Sequence, residues 1–362
     1  MPRDVLDKWL AFLATSDGPN PVRQCPGSLA VATTLDDRIA VELLVVRDAA
    51  DEIVGIQPIQ RGLLRLRFKL SRASFSIPIR GVTLIGTEPL TAEPGSKPFV
   101  MRNVLRHLRH ERAIEFDKLK SASTVALEVQ QYARTRKRIS LVDKRGSWTY
   151  APVPRSLEIY NAGLGKKKLY NLRRQNRLLA DHLGGDLDLV VIRDSEDISM
   201  VVAAIRQLTT WSGVKLKWAE KQAELACRES IACFFILKCN DRLVALVRAT
   251  AWGDQLHIHS MHRDESLDRF SPGTAQWQAI LKWLIEGGEF KRILFNYGTP
   301  APGNRAINVT EDRLHVFVLK IGIRASLAIG LRRVSAGGKM LRNLIRSVAR
   351  ARLEPEAVAT ND

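Results

Sequence analysis

The sequence predicts an α/β or α+β protein with a largely continuous sheet, and three observations predict it. Its 362 residues are too many for one ordinary domain and too few for three, so two domains are expected. Strand-like and helix-like patterns are mixed along the whole chain instead of segregating into blocks. The hairpin patterns at 39–59 and 231–247 share one plan: a hydrophobic strand, an acidic turn, then Ile53-Val54-Gly55-Ile56 or Leu243-Val244-Ala245-Leu246. Each sits at a similar depth in its half, which suggests a duplicated domain.

The elements follow in order. Residues 3–14 read as a helix, closed by the turn-rich SDGPNP stretch at 16–21. From about 28 to 90 the pattern is strand-like, with a hairpin over 39–59. Val100, Val104, Leu105 and Leu108 recur at helical spacing and predict a helix over 99–112. Strand-like runs follow near 124–129 and 139–142, and Gly146, Pro152 and Pro154 mark an expected boundary. The second half opens with a basic helix at 163–185 that ends on a Gly pair. A strand at 187–193 and a helix opening at Asp194-Ser195 come next. Two apolar runs around Asn240-Asp241 fill 231–252, a strand covers 254–262 and a loop covers 263–273. A helix at 274–287 and a strand at 291–297 complete the pattern. This divides the chain into a helix and linker at 1–25, a first domain at 26–155, a second at 156–330 and a tail at 331–362.

Composition narrows the class. With 45% hydrophobic and 26% charged residues the chain is neither disordered, collagen-like nor a disulfide framework. Its apolar runs fall short of the ~20 residues that a membrane span requires. The charged start (Arg3, Asp4, Asp7, Lys8) argues against a cleavable secretory signal. Four cysteines fit a reducing, cytoplasmic compartment. The net charge of +18 points to anionic partners: nucleic acid, acidic lipid or phosphate-bearing ligands. Nine basic residues and no acidic ones fall between Leu314 and Leu353, so half of that surplus is concentrated there.

The stretch most informative about chemistry is 254–300. Strand, loop, Ser271-Pro272-Gly273-Thr274, helix and strand follow one another, and Trp277, Ile280, Leu281 and Leu284 make one apolar helix face. Proline is pre-set for a helix start, and Gly273 lets a ligand approach the backbone. Free N–H groups and the helix dipole at such an end suit a pyrophosphate. The histidines His257, His259 and His262 invite a metal reading, but strand alternation puts His262 on the face opposite the other two, and a zinc site needs a fourth group. A cysteine nucleophile is disfavoured because Cys233 and Cys239 lie in apolar strands.

This order of elements resembles the GNAT superfamily. More closely, it is similar to tandem-GNAT acyltransferases assigned to cellulose biosynthesis. The resemblance rests on the basic helix with Lys166, Lys167, Lys168, Arg173, Arg174 and Arg177, on the hairpin with Asp241-Arg242-Leu243-Val244-Ala245, and on Ser271 to Thr274. It covers roughly 160–300; in the first half it rests mainly on Val54-Gly55-Ile56-Gln57-Pro58. It implies tandem domains, each a mixed, splayed, mostly antiparallel sheet flanked by helices. It also implies an acyl-CoA co-substrate, acetyl-CoA or another, and no metal. The CoA arm would lie in a gap between two parallel strands, along the strand edge near Ser260, Met261 and Arg263, with Arg269 and Ser271 nearby. Gly273, Thr274 and Ala275 would offer N–H groups to the pyrophosphate. An amine acceptor, on a small molecule or a cell-envelope or polysaccharide precursor, would approach from the other side.

The family often carries an Asp and a Gly on the strand after the helix, then Tyr-Lys. Here Asn296 replaces the Asp, Gly298 matches, and the Tyr-Lys pair is missing. An amide cannot act as a base at neutral pH, so Glu265, Asp264 and His262 are the candidates, with Tyr297 protonating the leaving thiolate. Two other readings keep the fold: a Fem-type transferase using aminoacyl-tRNA, which would explain the charge, and a non-catalytic GNAT-like module. Nucleic acid is therefore a possible but less favoured partner. Residues 338–352 form a basic amphipathic pattern that fits either a docked helix or peripheral contact with an anionic membrane on its inner face.

Overall fold

The computed structural model describes residues 1–16, 21–35, 40–70, 73–86, 88–295 and 309–322. The tail at 331–362, including the pattern at 338–352, lies outside the described residues.

The chain begins with helices α1 (Arg3–Thr15), α2 (Pro21–Gln24) and α3 (Pro26–Leu35). Next come β1 (Ala40–Arg47), β2 (Ile53–Leu70), β3 (Ala73–Leu84), α4 (Lys97–His107), β4 (Ala113–Lys120), α5 (Thr124–Thr135) and β5 (Ile139–Pro152). The second half holds α6 (Leu157–Leu164), α7 (Lys166–Leu183), β6 (Leu187–Ile192), α8 (Ile198–Leu208) and α9 (Gly213–Arg228). It continues with β7 (Ala232–Cys239), β8 (Arg242–Trp252), β9 (Gln255–Arg263), α10 (Pro272–Gly287), β10 (Arg292–Phe295) and β11 (Val309–Leu319).

Eleven strands form one sheet in the order β1-β2-β3-β4-β11-β5-β10-β9-β8-β7-β6. In the first half, β1–β2 and β2–β3 are antiparallel, β3–β4 is parallel and β4–β11 is antiparallel. In the second half, β7–β8 and β8–β9 are antiparallel, β9–β10 is parallel and β10–β5 is antiparallel. The pairing signs repeat, with β6 as an extra edge strand. The expected hairpins are the repeat's first two strands in both copies. Each half thus carries a mixed sheet with one parallel pair, and a helix (α4 or α10) connects the strands of that pair.

The two halves are fused by an exchange of strands. β5, which follows the first copy, pairs with β10 of the second over Arg292–Leu294. β11, which follows the second copy and falls within 156–330, lies between β4 and β5. The boundary expected around Gly146 to Pro154 therefore falls on a continuous strand, β5, that runs to Pro152.

Three local expectations are corrected. Residues 124–129 are helical, not a strand: Ser123 caps α5 by accepting from the Ala126 N–H, and Val125, Ala126, Val129 and Ala133 form its buried face. Residues 26–35 are helix α3 rather than strand, and residues 213–228 form a helix, α9, with no counterpart in the sequence reading. The loop at 263–273 contains a 3-10 turn over Glu265–Phe270.

The cores explain the assembly. One joins α1, α3, α8 and α9 to residues of both halves, among them Ile56 and Phe234. A second packs α4 and α5 onto β3, β4 and β11. There Gly55 is required, because a Cβ at that position would run into Val100 of α4. A third packs Trp277, Ile280, Leu281 and Leu284 of α10 against β7, β8, β9 and β10, the face read from the sequence.

Candidate functional site

The site is built around β9. It pairs with β10 in parallel only from Gln255 to Ile258, opposite Arg292 to Phe295. Beyond Ile258, β9 continues to Arg263 on β8 alone, and no described strand pairs with its other edge. Leu256, Ile258 and Met261 face α10. His257 and His259 face the opposite side and line a cavity of about 540 Å³. Past Ile258, β9 thus runs between the start of α10 on one side and this cavity on the other.

A β-bulge shapes the strand. Pairing slips between Arg248↔Ser260 and Ala249↔Ile258, which leaves His259 as the extra residue on β9. The slip reverses the alternation after it. His262 consequently comes to the His257 side, edge-on to the Trp211 ring at 4.8 Å between centroids. This corrects the expectation that His262 lies on the opposite face. Even so, among the described residues no three His, Cys, Asp or Glu side chains gather as a metal-ligand set.

At the start of α10, Ser271 adopts left-handed angles (φ 56°, ψ 54°) and Pro272 opens the helix. The Thr274 and Ala275 N–H groups donate to the Ser271 carbonyl at 2.9 and 3.2 Å. Pro272 has no N–H, so Gly273 is the first-turn donor not drawn into that carbonyl. A Cβ at Gly273 would meet only the Arg263 Cδ, at 3.8 Å, so there is room beside the backbone for a phosphate. The Arg263 guanidinium is held by Asp268 at 2.6 and 3.2 Å, and Arg269 lies over the Phe270 ring. The basic helix α7 packs beside α10, with Asn176 donating to Gln278 at 2.7 Å. Lys166, Lys167, Lys168, Arg173, Arg174 and Arg177 are exposed.

Not every residue nominated from sequence reaches this place. Glu265 is exposed on the 3-10 turn. Asp264 accepts from the Ser266 N–H and from Arg242 at 2.6 Å. Burial works against its ionisation, but the bonds from Ser266 and Arg242 prevail and hold it below the usual carboxylate range. It is a cap, not a poised base. Asn296 and Tyr297 lie outside the described residues. His262 is part-buried, and its Nε2 has no protein partner. Burial, aided by the charges of Arg248 and Lys215, pushes it down to about 4.

The cavity wall holds groups that were not nominated. Arg248 of β8 is 5% exposed. Its Nη2 donates to Gln222 Oε1 at 2.8 Å and to the Ala219 carbonyl at 3.4 Å, and its guanidinium carbon lies 5.3 Å from the Trp211 ring centroid. Burial lowers its pKa to about 10, so it is still charged at pH 7. A buried ion without a counter-ion costs several kcal/mol. His259 Nε2 is 2.9 Å from Thr250 Oγ1. Burial, reinforced by Arg248, Arg23 and Lys118, pushes His259 down to about 3. A lone arginine within the apolar strand VALVRATAW was a readable signal. The cysteines are free and buried, and burial raises Cys233 to about 12 and Cys227 to about 11, so neither thiol is a nucleophile at neutral pH.

Residues 166–301 match the family model described as "Acetyltransferase (GNAT) domain", and the first half repeats the strand pairing of that region. No curated protein matches the sequence. Among solved structures, FemX is similar with a TM-score of 0.57 at 9% identity, over 87% of this chain and 96% of that one. A conserved protein of unknown function from Bacteroides thetaiotaomicron VPI-5482 is similar with a TM-score of 0.52 at 14% identity, over 87% and 96%. A tandem GNAT protein from the clavulanic acid biosynthesis pathway matches at 13% identity with a TM-score of 0.48, over 88% and 95%.

Proposed function

We propose that the protein is an acyl-CoA-dependent N-acyltransferase whose second half binds the acyl donor. The observation that carries this reading is the end of β9, past Ile258, where no described strand pairs with the edge opposite β8. There a helix start suited to a pyrophosphate lies on one side of β9 and a small-molecule cavity on the other. The pantetheine arm would lie along that edge of β9 at Ser260, Met261 and Arg263. Gly273, with Arg263, Arg269 and Ser271 around it, would meet the phosphates. The acceptor amine would enter from the cavity and attack the thioester carbon, and the tetrahedral intermediate would release the CoA thiolate; Tyr297 is proposed to protonate that thiolate and to regain its proton from the nitrogen as the amide forms.

His262 can accept a hydrogen bond from the incoming amine, because its Nε2 lacks a protein partner and it is neutral at pH 7. Held near 4, it matches an ammonium poorly as a base, so it orients an amine that arrives already neutral. Glu265 is left to a role at the rim. Acetyl-CoA, or another acyl-CoA, remains the proposed donor, and an amine on a small molecule or envelope precursor the proposed acceptor.

Calorimetric titration with acetyl-CoA and free CoA tests the reading: both should bind, with stoichiometry near one. Absence of binding by the folded protein would remove it. A second reading, a Fem-type aminoacyl-tRNA-dependent transferase, is favoured by the charge of +18 and by the exposed cations of α7. Such enzymes usually carry a long helical arm, whereas the longest described helix has 18 residues. Binding of tRNA with a steep salt dependence, in place of CoA binding, would favour it.

A further inference from the structure

We propose that the cavity between the two halves is a carboxylate-recognition site, with Arg248 as the residue that binds the anion of a small, partly apolar amine. The site stands on the cavity alone; naming its occupant the acyl acceptor rests on the acyltransferase reading. The cavity is walled by α2, α3 and β3 from the first part of the chain and by α9, β8 and β9 from the second. At about 540 Å³ it has the size of a single small-molecule pocket.

Its polar groups point to one anion. Arg248 is nine-tenths buried, and its Nε has no protein partner. The guanidinium is fixed from three directions, by Gln222, by the Ala219 carbonyl and by the face of Trp211. Among the described residues no carboxylate pairs with it. The acid that lines the cavity, Asp117, stands 3.5 Å from Arg23 instead. Arg23 and Arg248 against that one lining acid leave the wall with an excess of positive charge and one guanidinium N–H, at Nε, unpaired, and a carboxylate oxygen answers both. A phosphate dianion asks for more open cationic donors than one tied guanidinium presents. The rest of the lining is largely apolar, with Leu29, Val31 and Leu35 on α3 and Phe234 beside Arg248 on β7, and suits a hydrocarbon body. His257, lining the cavity one residue before the β9–β10 pairing ends at Ile258, brings this pocket to the end of β9, where the amine of a bound amino acid would meet the donor.

The test uses the full chain and calorimetry with L-phenylalanine and L-leucine, their amides, and 2-phenylethyl phosphate, with CoA titrated separately. The free acids should bind at least tenfold more tightly than the amides. Arg248→Gln should erase that preference, and Arg248→Lys should keep part of it. Both variants should bind CoA as the parent does. Equal affinity for acid and amide, a preference that survives Arg248→Gln, or tighter binding of the phosphate would each overturn the proposal. The acid–amide comparison on the unaltered protein decides the matter even if a variant does not fold. If CoA fails to bind while the acids do, the acyltransferase reading falls and the anion site stands. If CoA binds and the acids show no preference, the reverse holds.

Discussion

Gly273 and His259 mark the two sides of the site, and each supports a residue-scale prediction. A Cβ at Gly273 meets only the flexible end of Arg263, so Gly273→Val should fold normally and melt near the parent temperature. Its branched side chain would occupy the space a phosphate needs, and CoA affinity should fall at least a hundredfold by calorimetry. Unchanged affinity in the folded variant would remove the phosphate from this helix start. His259 concerns stability. Its folded pKa, about 3, lies below the ordinary value near 6.5, so the unfolded chain binds more protons between those limits. Stability is then full above about pH 6.5 and is lost as the pH falls, by up to ~1.4 kcal/mol per unit. Between pH 7 and pH 5 His259 should account for about 2 kcal/mol of lost stability in urea denaturation, and His259→Gln should remove that share while His262, held near 4, keeps its own.

At the scale of elements, α10 couples the donor side to the core. Ile280 is fully buried in the cluster that holds β9 and β10. Ile280→Ala removes that packing and leaves a cavity, which costs ~2–5 kcal/mol. A matching drop in the urea midpoint is expected, with CoA affinity retained while the protein stays folded. The helix was legible because its apolar residues recur at i, i+3, i+4 and i+7, a local property. α5 was not: Val125, Ala126 and Val129 read equally well as a short strand, and the competition was settled by the Ser123 cap and by packing against α4. The bulge at His259 was also invisible, since nothing in the local sequence marks which residue a neighbouring strand will skip.

For the whole molecule, strand exchange makes the halves interdependent. β11 pairs with β5 along its full length and, on its other edge, with β4 from Arg313 to Leu319, while β5 also pairs with β10. A fragment ending at residue 155 would lack β11 and leave long open edges on β4 and β5. Fragments 1–155 and 156–362 should therefore each lack a cooperative melt alone and regain one on mixing. Independent two-state unfolding of either piece would contradict the fused sheet. The charge acts at this scale too, through its concentration between Leu314 and Leu353. If the basic pattern at 338–352 contacts membranes, the full chain should sediment with anionic vesicles at low salt and a chain ending at Arg333 should not.

The sequence by itself determined the mixed α/β class, the repeated hairpins, the helix start at Ser271 to Thr274 and the excess of positive charge. Each is carried by short-range periodicity, by turn chemistry or by composition. Only the tertiary structure decided that β5 and β11 change places between the halves, that His262 joins the face of His257, and that Arg248 lines a cavity where, among the described residues, no carboxylate pairs with it. Those features depend on pairings between residues far apart in the chain. Arg248 with Gln222 and Trp211, and Asp117 with Arg23, are such pairings, and no local pattern encodes them.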